Sequence, residues 1–260
     1  MNLKIQWFAL PILSFALLGS CASDTGPSPA PEAEPEGNFY TIDPAQAGKL
    51  SGRVLYEGEV PPADEIDMSS EPECARVHPG PVFSERLVVD DSGGLAHAFL
   101  SIDSDFEGLR FTVPTAPVTI DQAGCMYKPR VVGVRTGQKL LVENSDPVTH
   151  NVHPMPRFNR ESNRTQSAGA EPLQLPFPRP EMMIPVRCNL HPWMVSFVSV
   201  LSHPFFAVSA PDGSFQIEGL PPGEYNLVAM HERLGQQKVT VTVAAGGSTS
   251  VEIVYPQPEG

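Results

Sequence analysis

The sequence has few basic residues and few cysteines, and both shortages exclude classes of function. Lysine and arginine number 17 against 30 aspartates and glutamates, so the chain lacks the excess positive charge that binds nucleic acid. Its four cysteines include no Cys-x-x-Cys pair, the spacing that structural zinc sites use. No two carboxylates occupy positions that indicate acid–base catalysis. We therefore expect neither a nucleic-acid-binding protein nor a structural zinc site.

Helical periodicity is also missing, since no apolar pattern with the helical repeat extends beyond about two turns. After residue 48, apolar and polar residues alternate over short runs separated by glycine, proline, asparagine and aspartate, which is typical of strands and turns. We predict an all-β fold in which roughly 210 ordered residues bury two modest cores. The candidate strands are residues 49–56, 86–89, 95–102, 118–121, 131–135, 139–143, 182–187, 195–201, 214–217, 225–230, 237–243 and 248–254.

An apolar stretch from Trp7 to Leu18 follows Lys4 at the N-terminus. It is too short to span a bilayer, and its position indicates a signal peptide over residues 1–20. It ends in Leu18-Gly19-Ser20-Cys21, which resembles the lipobox of bacterial lipoproteins. The resemblance implies an exported protein whose Cys21 is acylated, anchored to a membrane and facing the periplasm or the cell exterior. An ordinary signal peptide followed by an incidental cysteine is the alternative.

Residues 22–48 contain five acidic residues, five prolines and no basic residue. Such a segment cannot bury enough apolar surface to offset the entropy lost on ordering. Together with Cys21 it is predicted to form a disordered, solvated tether over residues 21–48.

Four side chains that ligate metals occur in two short segments. Cys188, His191 and Met194 lie within seven residues of one another. The second segment, Thr149-His150-Asn151-Val152-His153, lies upstream, and its His150 precedes Cys188 by 38 positions. One thiolate, two imidazoles and one thioether are the ligands of a blue-copper electron-transfer centre. The soft sulfur ligands suit Cu(I) and the imidazoles suit Cu(II), so such a site changes little on electron transfer.

The surrounding sequence resembles the cupredoxin family. Two candidate strands joined by a glycine turn lead through Asn144-Ser145-Asp146 to the histidine, as in that family, and the Cys-x-x-His-x-x-Met loop is most similar to that of the amicyanins. The resemblance covers about residues 110–201. It implies a cupredoxin-type Greek-key β-sandwich over residues 105–203 that binds one type 1 copper ion. The implied ligands are His150, Cys188, His191 and Met194.

Two of these assignments have competitors. His153 could replace His150, but the family's ligand precedes Asn-Val, which selects His150, and the two side chains would point to opposite faces of a strand. Met194 could be a packing residue only. Its position three residues after His191 favours the role of axial ligand.

Three neighbours of the ligands are expected to shape the site. In the resembled family the asparagine after the first histidine braces the ligand loops and its backbone N–H points at the cysteine sulfur, which implies both roles for Asn151. An ordinary turn asparagine is the alternative. Pro192 lacks a backbone donor and stiffens the loop. Trp193 stands where amicyanin-like loops carry a smaller aromatic residue, so the edge around His191 is expected to fit a different partner.

Other chemistries fit these residues less well. A dinuclear copper centre needs a second cysteine nearby, and the His-Cys-His run of the oxidase type is absent. Cys188 with His191 could form a nucleophilic thiolate pair, but the methionine and the upstream histidine favour a metal. With Cys21 assigned to lipid and Cys188 to metal, Cys74 and Cys125 are expected to form a disulfide in an oxidising compartment. Two buried free thiols are the alternative.

The C-terminal segments 207–215 and 220–225 resemble a carboxypeptidase-regulatory-like (transthyretin-like) β-sandwich. Asp212-Gly213 favours a hairpin turn and Pro221-Pro222-Gly223 a rigid corner. Such domains usually open with a Gly-Arg-Val strand, and Gly52-Arg53-Val54 matches it far upstream. The resemblance implies a second sandwich built from residues 49–104 and 204–260, with residues 105–203 inserted. A tandem order of two domains is the alternative.

Charge is unevenly distributed along the chain. Residues 105–203 contain ten basic and eight acidic residues, whereas the rest of the mature chain has a net charge near −16. Because opposite charges steer association, we expect an extracytoplasmic redox partner, a cytochrome, dehydrogenase or oxidase, that is acidic near its own redox centre. The predicted function is single-electron transfer by a membrane-tethered protein that is not itself an enzyme. Copper storage, delivery or sensing, or an interaction module with a vestigial copper site, are the alternatives.

Overall fold

The computed structural model describes residues 39–104 and 106–257. The predicted signal peptide, Cys21 and residues 22–38 of the predicted tether lie outside the described residues. Within the described part of the chain, no helix is both long and apolar enough to cross a membrane. The C-terminal end of the predicted tether contacts the folded chain, because the Tyr40 backbone N–H donates to the Arg110 carbonyl and the Tyr40 ring meets that of Phe111.

Strands make up nearly all of the regular structure, which confirms the predicted all-β fold. They are β1 (Gly48–Glu57), β2 (Phe99–Ile102), β3 (Val118–Gln122), β4 (Tyr127–Lys128), β5 (Val131–Arg135), β6 (Leu140–Asn144), β7 (His150–Pro154), β8 (Arg164–Gln166), β9 (Leu173–Leu175), β10 (Glu181–Arg187), β11 (Val195–Leu201), β12 (Phe206–Val208), β13 (Ser214–Leu220), β14 (Gly223–His231), β15 (Gly235–Val243) and β16 (Ser248–Pro256). The one helix of the described residues is the five-residue α1 (Pro72–Arg76).

Strands from both ends of the chain build the first core. β1 pairs antiparallel with β13 and parallel with β16, and a second sheet has the order β12-β2-β14-β15. The two sheets share one cluster of buried side chains, since inward-facing residues alternate with outward-facing ones along each strand. Its members include Leu50, Leu100, Ile217, Leu227, Val241 and Ile253.

The intervening strands build the second core. A five-stranded sheet of order β5-β11-β10-β7-β8 and a four-stranded sheet of order β4-β3-β6-β9 contribute to one buried cluster. In β6 the alternation is plain, because Leu140, Val142 and Asn144 are buried while Glu143 is exposed. β10 and β7 are neighbours in this sheet, and this pairing brings the predicted ligand segments together.

The connection from β1 to β2 crosses onto the second core. Its residues 64–82, which we call the cover segment, include α1 and place Met68 and Cys74 in the second buried cluster. Ile66 and Val82 pack against the same cluster. Part of the region that the sequence assigned to the first sandwich therefore completes the second.

Candidate metal centre

Three of the four predicted ligands converge in the second core. His150 begins β7, Cys188 follows β10 directly, and His191 lies in the loop that joins β10 to β11. The two Nδ1 atoms of His150 and His191 are 2.9 Å apart, and the Cys188 sulfur is 3.5 Å from His191 Nδ1. One ligand atom from each residue lies within 4.8 Å of the others. Only 0% of His150, 2% of Cys188 and 3% of His191 is exposed, so bulk water is kept out.

The loop from Cys188 to Met194, which we call the ligand loop, is closed by its own backbone. The Cys188 N–H donates to the Met194 carbonyl over 3.2 Å, and the Met194 N–H donates to the His191 carbonyl over 3.0 Å. The flanking residues Arg187 and Val195 are paired across β10 and β11. Met194 itself is fully buried in the second core, at the end of the same loop.

Asn151 contacts the cysteine through its backbone. Its N–H donates to the Cys188 sulfur over 3.2 Å, which is the contact that the resemblance implied. The side-chain amide differs from the expectation, because it lies within hydrogen-bond distance of Asn163 and Thr165, beside and within β8, and not of the ligand loop. Asn151 therefore joins the sulfur to the neighbouring edge strand.

Asp146 positions His150, a role that the sequence analysis missed. Its carboxylate lies 2.9 Å from His150 Nε2 and accepts hydrogen bonds from the backbone N–H groups of Gly124 and Cys125 over 2.6 and 2.7 Å. Since a carboxylate only accepts, Nε2 carries the proton in the neutral imidazole and the Nδ1 lone pair faces Cys188 and His191. A carboxylate four residues before the ligand histidine was the available signal.

These contacts also set the protonation of the cluster. Burial raises the pKa of Asp146, but the hydrogen bonds from His150 and from the two backbone donors outweigh it and hold that pKa below its usual value. Burial likewise raises the pKa of the Cys188 thiol, but a hydrogen bond from His150 in its protonated form and hydrogen bonds from backbone N–H groups, that of Asn151 among them, lower it overall. The arrangement therefore favours a thiolate, the form in which cysteine binds metals.

The outer edge of His191 is covered by the polypeptide. Its Nε2 atom lies 3.6 Å from the Cys74 sulfur and 3.8 Å from a Glu71 carboxylate oxygen, both in the cover segment. Cys74 is joined to Cys125 by a disulfide, so the predicted pair lies against His191, one of the predicted ligands. The Trp193 indole lies beside the imidazole and donates to the Cys125 carbonyl over 2.9 Å.

His153 points away from the cluster and does not join the ligands. Its Nδ1 atom lies 3.0 Å from the Asn189 side-chain oxygen, and its Nε2 atom lies 2.7 Å from a Glu161 carboxylate oxygen. The side chain is partly exposed. His153 thus links the β7–β8 connection to the start of the ligand loop.

The residues present fit a copper ion. The Cys188 sulfur and the Nδ1 atoms of His150 and His191 converge in a buried space, while the Nε2 atoms of both rings face other residues. This combination of a soft sulfur and two intermediate nitrogen donors suits copper. The remaining two candidate groupings of ligand atoms include Cys125, which the disulfide occupies. Among the groupings found in the described residues, that of His150, Cys188 and His191 is therefore the one available for a metal.

No protein-family model matches this chain, and no curated protein sequence matches it. Among solved structures, a copper-containing nitrite reductase from Thermus scotoductus is similar at 18% identity and a TM-score of 0.31, over 35% of this chain and 23% of that one. A purple cupredoxin from Nitrosopumilus maritimus is similar at 21% identity and a TM-score of 0.27, over 32% of this chain and 98% of that one. A mutant amicyanin in the Cu(I) form is similar at 20% identity and a TM-score of 0.30, over 39% of this chain and 97% of that one.

Proposed function

We propose that this protein is a cupredoxin-type electron carrier that binds one copper ion through His150, Cys188 and His191, with Met194 as a weak fourth ligand. The convergence of one cysteine sulfur and two imidazole nitrogens in a buried space carries the proposal. When bound, copper supplies a one-electron Cu(II)/Cu(I) couple. Met194 lies at the end of the same loop, three residues after His191, and this position favours its thioether as the fourth ligand.

The surrounding residues hold the ligands in one arrangement. Asp146 fixes the ring of His150, Asn151 holds the sulfur, and two backbone hydrogen bonds close the ligand loop. Ligands that are held in this way move little between oxidation states, which favours fast single-electron exchange. A fourth position occupied by Met194 would leave no open position for a substrate, so we propose a carrier and not an enzyme.

The cellular context belongs to the same proposal. Export, acylation at Cys21 and attachment to a membrane would place the carrier outside the cytoplasm, where the disulfide of Cys74 and Cys125 is stable. The proposed partners are extracytoplasmic redox proteins such as a cytochrome, a dehydrogenase or an oxidase. The pairing of β1 with β13 and β16 supports a domain division in which residues 105–203 are inserted between 49–104 and 204–260.

The optical spectrum of copper-loaded protein tests the proposal. We expect an intense blue colour that a mild reductant bleaches reversibly, that Cys188→Ala abolishes, and that His153→Gln retains, because His153 lies outside the cluster. Circular dichroism of each variant checks that the fold is kept. A blue band that survives Cys188→Ala would overturn the site, and a colourless protein that binds only Cu(I) would indicate copper delivery.

The axial role of Met194 has its own test. A weak ligand sets the potential without carrying the colour, so Met194→Leu should remain blue and bind copper while its reduction potential changes. A spectroelectrochemical titration measures both properties. Complete loss of copper binding would contradict a weak axial role.

A further inference from the structure

The His191 side of the proposed ligand cluster is closed to a protein partner. The cover segment places Glu71 and Cys74 within 3.8 Å of His191 Nε2, and only 3% of His191 is exposed. Met68 of the same segment is buried in the second core, and the disulfide to Cys125 ties the segment down. A partner could touch the imidazole only if it displaced these residues.

The Cys188 side of the cluster reaches the surface within one residue. Asn189 and Leu190 follow the cysteine in the ligand loop and are both exposed, Leu190 by 50%. The hydrogen bond between Asn189 and His153 continues this side of the loop onto β7. Both covalent routes from the Cys188 sulfur to solvent, through Arg187 and through Asn189, are therefore one residue long.

Two exposed arginines, Arg160 and Arg187, lie beside this exit, and two more, Arg157 and Arg179, lie near Glu181 at the other end of β10. Arg187 is paired with His153 across β10 and β7, and Arg160 adjoins the Glu161 that holds His153. Arg179 donates to the Phe158 carbonyl over 3.4 Å. Among the described residues, no ion pair links Arg157, Arg160, Arg179 or Arg187 to a carboxylate. We call these four residues, with Met155 and Phe158, the arginine surface.

Glu181 gives the arginine surface its shape. Its carboxylate accepts hydrogen bonds from the consecutive backbone N–H groups of Arg157, Phe158 and Asn159, and from the Asn159 amide. The Glu181 carboxylate is thereby engaged by the backbone and the Asn159 amide, and the other carboxylate of this connection, Glu161, contacts His153. Phe158 is 64% exposed, which adds an apolar contact of the kind found at interface centres.

The charge of the remaining chain restricts where an acidic partner can bind. Outside residues 105–203 the mature chain has a net charge near −16, so a carboxylate-rich surface would be repelled there. The arginine surface offers two positive charges beside the exit from Cys188, on Arg160 and Arg187, and two more at the Glu181 end of β10. Complementary charge of this kind raises the rate of productive encounter.

We propose that the redox partner docks on the arginine surface through a carboxylate-rich protein face, and that electrons pass on the Cys188–Asn189 side and not at the edge of His191. This inference rests on the proposed function. A one-electron redox protein would lose or gain one electron as the bound metal ion gains or loses it, and no bond forms or breaks. The arginines act by positioning the partner.

Two charge-matched double variants test the proposal. Arg157→Gln with Arg160→Gln removes two charges from the arginine surface, and Arg110→Gln with Lys139→Gln removes two exposed charges elsewhere. Stopped-flow oxidation of the reduced, copper-loaded proteins by anionic hexacyanoferrate(III) should slow roughly fivefold or more at low ionic strength in the first variant only. With cationic tris(phenanthroline)cobalt(III) the same variant should react as fast as the parent or faster.

A binding measurement that needs no copper accompanies the kinetics. Fluorescence anisotropy of a labelled hexaglutamate peptide titrated with metal-free protein should show weaker binding for the arginine variant and parent-like binding for the matched control. The docking site would be refuted if the arginine variant exchanged electrons at a different rate from the matched control but bound the peptide equally well. Equal effects of the two double variants in both measurements would refute it as well.

Two further outcomes are distinguishable. Binding to phosphatidylglycerol vesicles that depends on Arg157 and Arg160, with unchanged electron exchange and unchanged peptide binding, would overturn the proposal in favour of a membrane-facing surface. A protein that never becomes blue would refute the proposed electron-transfer function. The peptide titration would then still decide whether the arginine surface recognises carboxylates.

Discussion

At the residue scale, a single buried carboxylate organises the proposed metal ligands. Asp146 contacts His150 on one side and the backbone of Gly124 and Cys125 on the other. Cys125 is also the anchor of the disulfide and the acceptor for Trp193. One side chain therefore connects a proposed ligand, the disulfide and the residue beside His191.

Replacing this carboxylate by an amide should change the redox potential. A nearby negative charge stabilises Cu(II) more than Cu(I), so Asp146→Asn should raise the potential of the copper-loaded protein. A tenfold change in a one-electron equilibrium corresponds to about 59 mV, and we expect a shift of this order. A redox titration measures it. Glu143→Gln, an exposed residue on β6, is the control, and a potential that fell or stayed constant in Asp146→Asn would contradict the role.

At the element scale, the cover segment is the least expected feature of the fold. It belongs to the long connection between two strands of the first core, and it nevertheless places α1 over His191 in the second. The disulfide closes a loop whose ends are 51 residues apart in sequence. Closing such a loop removes much conformational entropy from the unfolded chain.

Removing the disulfide should weaken and open this cover. For Cys74→Ser with Cys125→Ser we expect the free energy of unfolding to fall by about 2–4 kcal/mol in urea titrations. Oxidation by anionic and by cationic small complexes should both accelerate, since opening the cover exposes the His191 edge to either kind of complex. Unchanged rates together with lower stability would show that the cover stays closed without its covalent tie.

At the scale of the whole molecule, the two cores are joined by a small apolar cluster and a buried ion pair. Phe99, Val131 and Leu201 form the cluster. Arg130, which precedes β5, pairs with Glu232, which follows β14, over 2.6 Å. The join is close enough that a Cβ on Gly133 would lie 2.3 Å from the Phe206 ring, so only glycine fits there.

Acid should destabilise the molecule through two buried histidines near this join. Burial lowers the pKa of His203 to about 4, helped by Arg135, and burial lowers that of His231 to about 4, helped by His97. Both are neutral when folded, while the unfolded chain takes up protons near pH 6.5. Their contribution to stability is therefore complete above about pH 6.5, is lost progressively as the pH falls from there, and is gone by about pH 4.

Urea unfolding of metal-free protein at pH 7 and pH 5 measures this dependence. Each histidine should lower the free energy of unfolding by about 2 kcal/mol between these two values. His203→Gln with His231→Gln should therefore lose less stability over the interval than the parent, even if it is less stable at pH 7. An equal loss in both proteins would show that other groups cause the acid sensitivity.

The sequence by itself determined the class of the fold and the identity of the proposed ligands. Alternating residues in long strands such as β1, β15 and β16 carry their own signal, because the period of two is local. The same holds for the Cys-x-x-His-x-x-Met spacing, which is contained in one loop. Residues 86–89 were wrongly predicted as a strand, since within them only Val89 forms an isolated bridge.

Only the tertiary structure decided which surfaces these ligands face. β7, which carries His150, escaped prediction because its short polar sequence becomes a strand through pairing with β8 and β10. Asp146 and the cover segment acquired their roles in the same way, since their contacts join residues that are distant in sequence or on separate strands. Side-chain chemistry is a property of each residue, whereas burial, access and pairing depend on how distant segments pack.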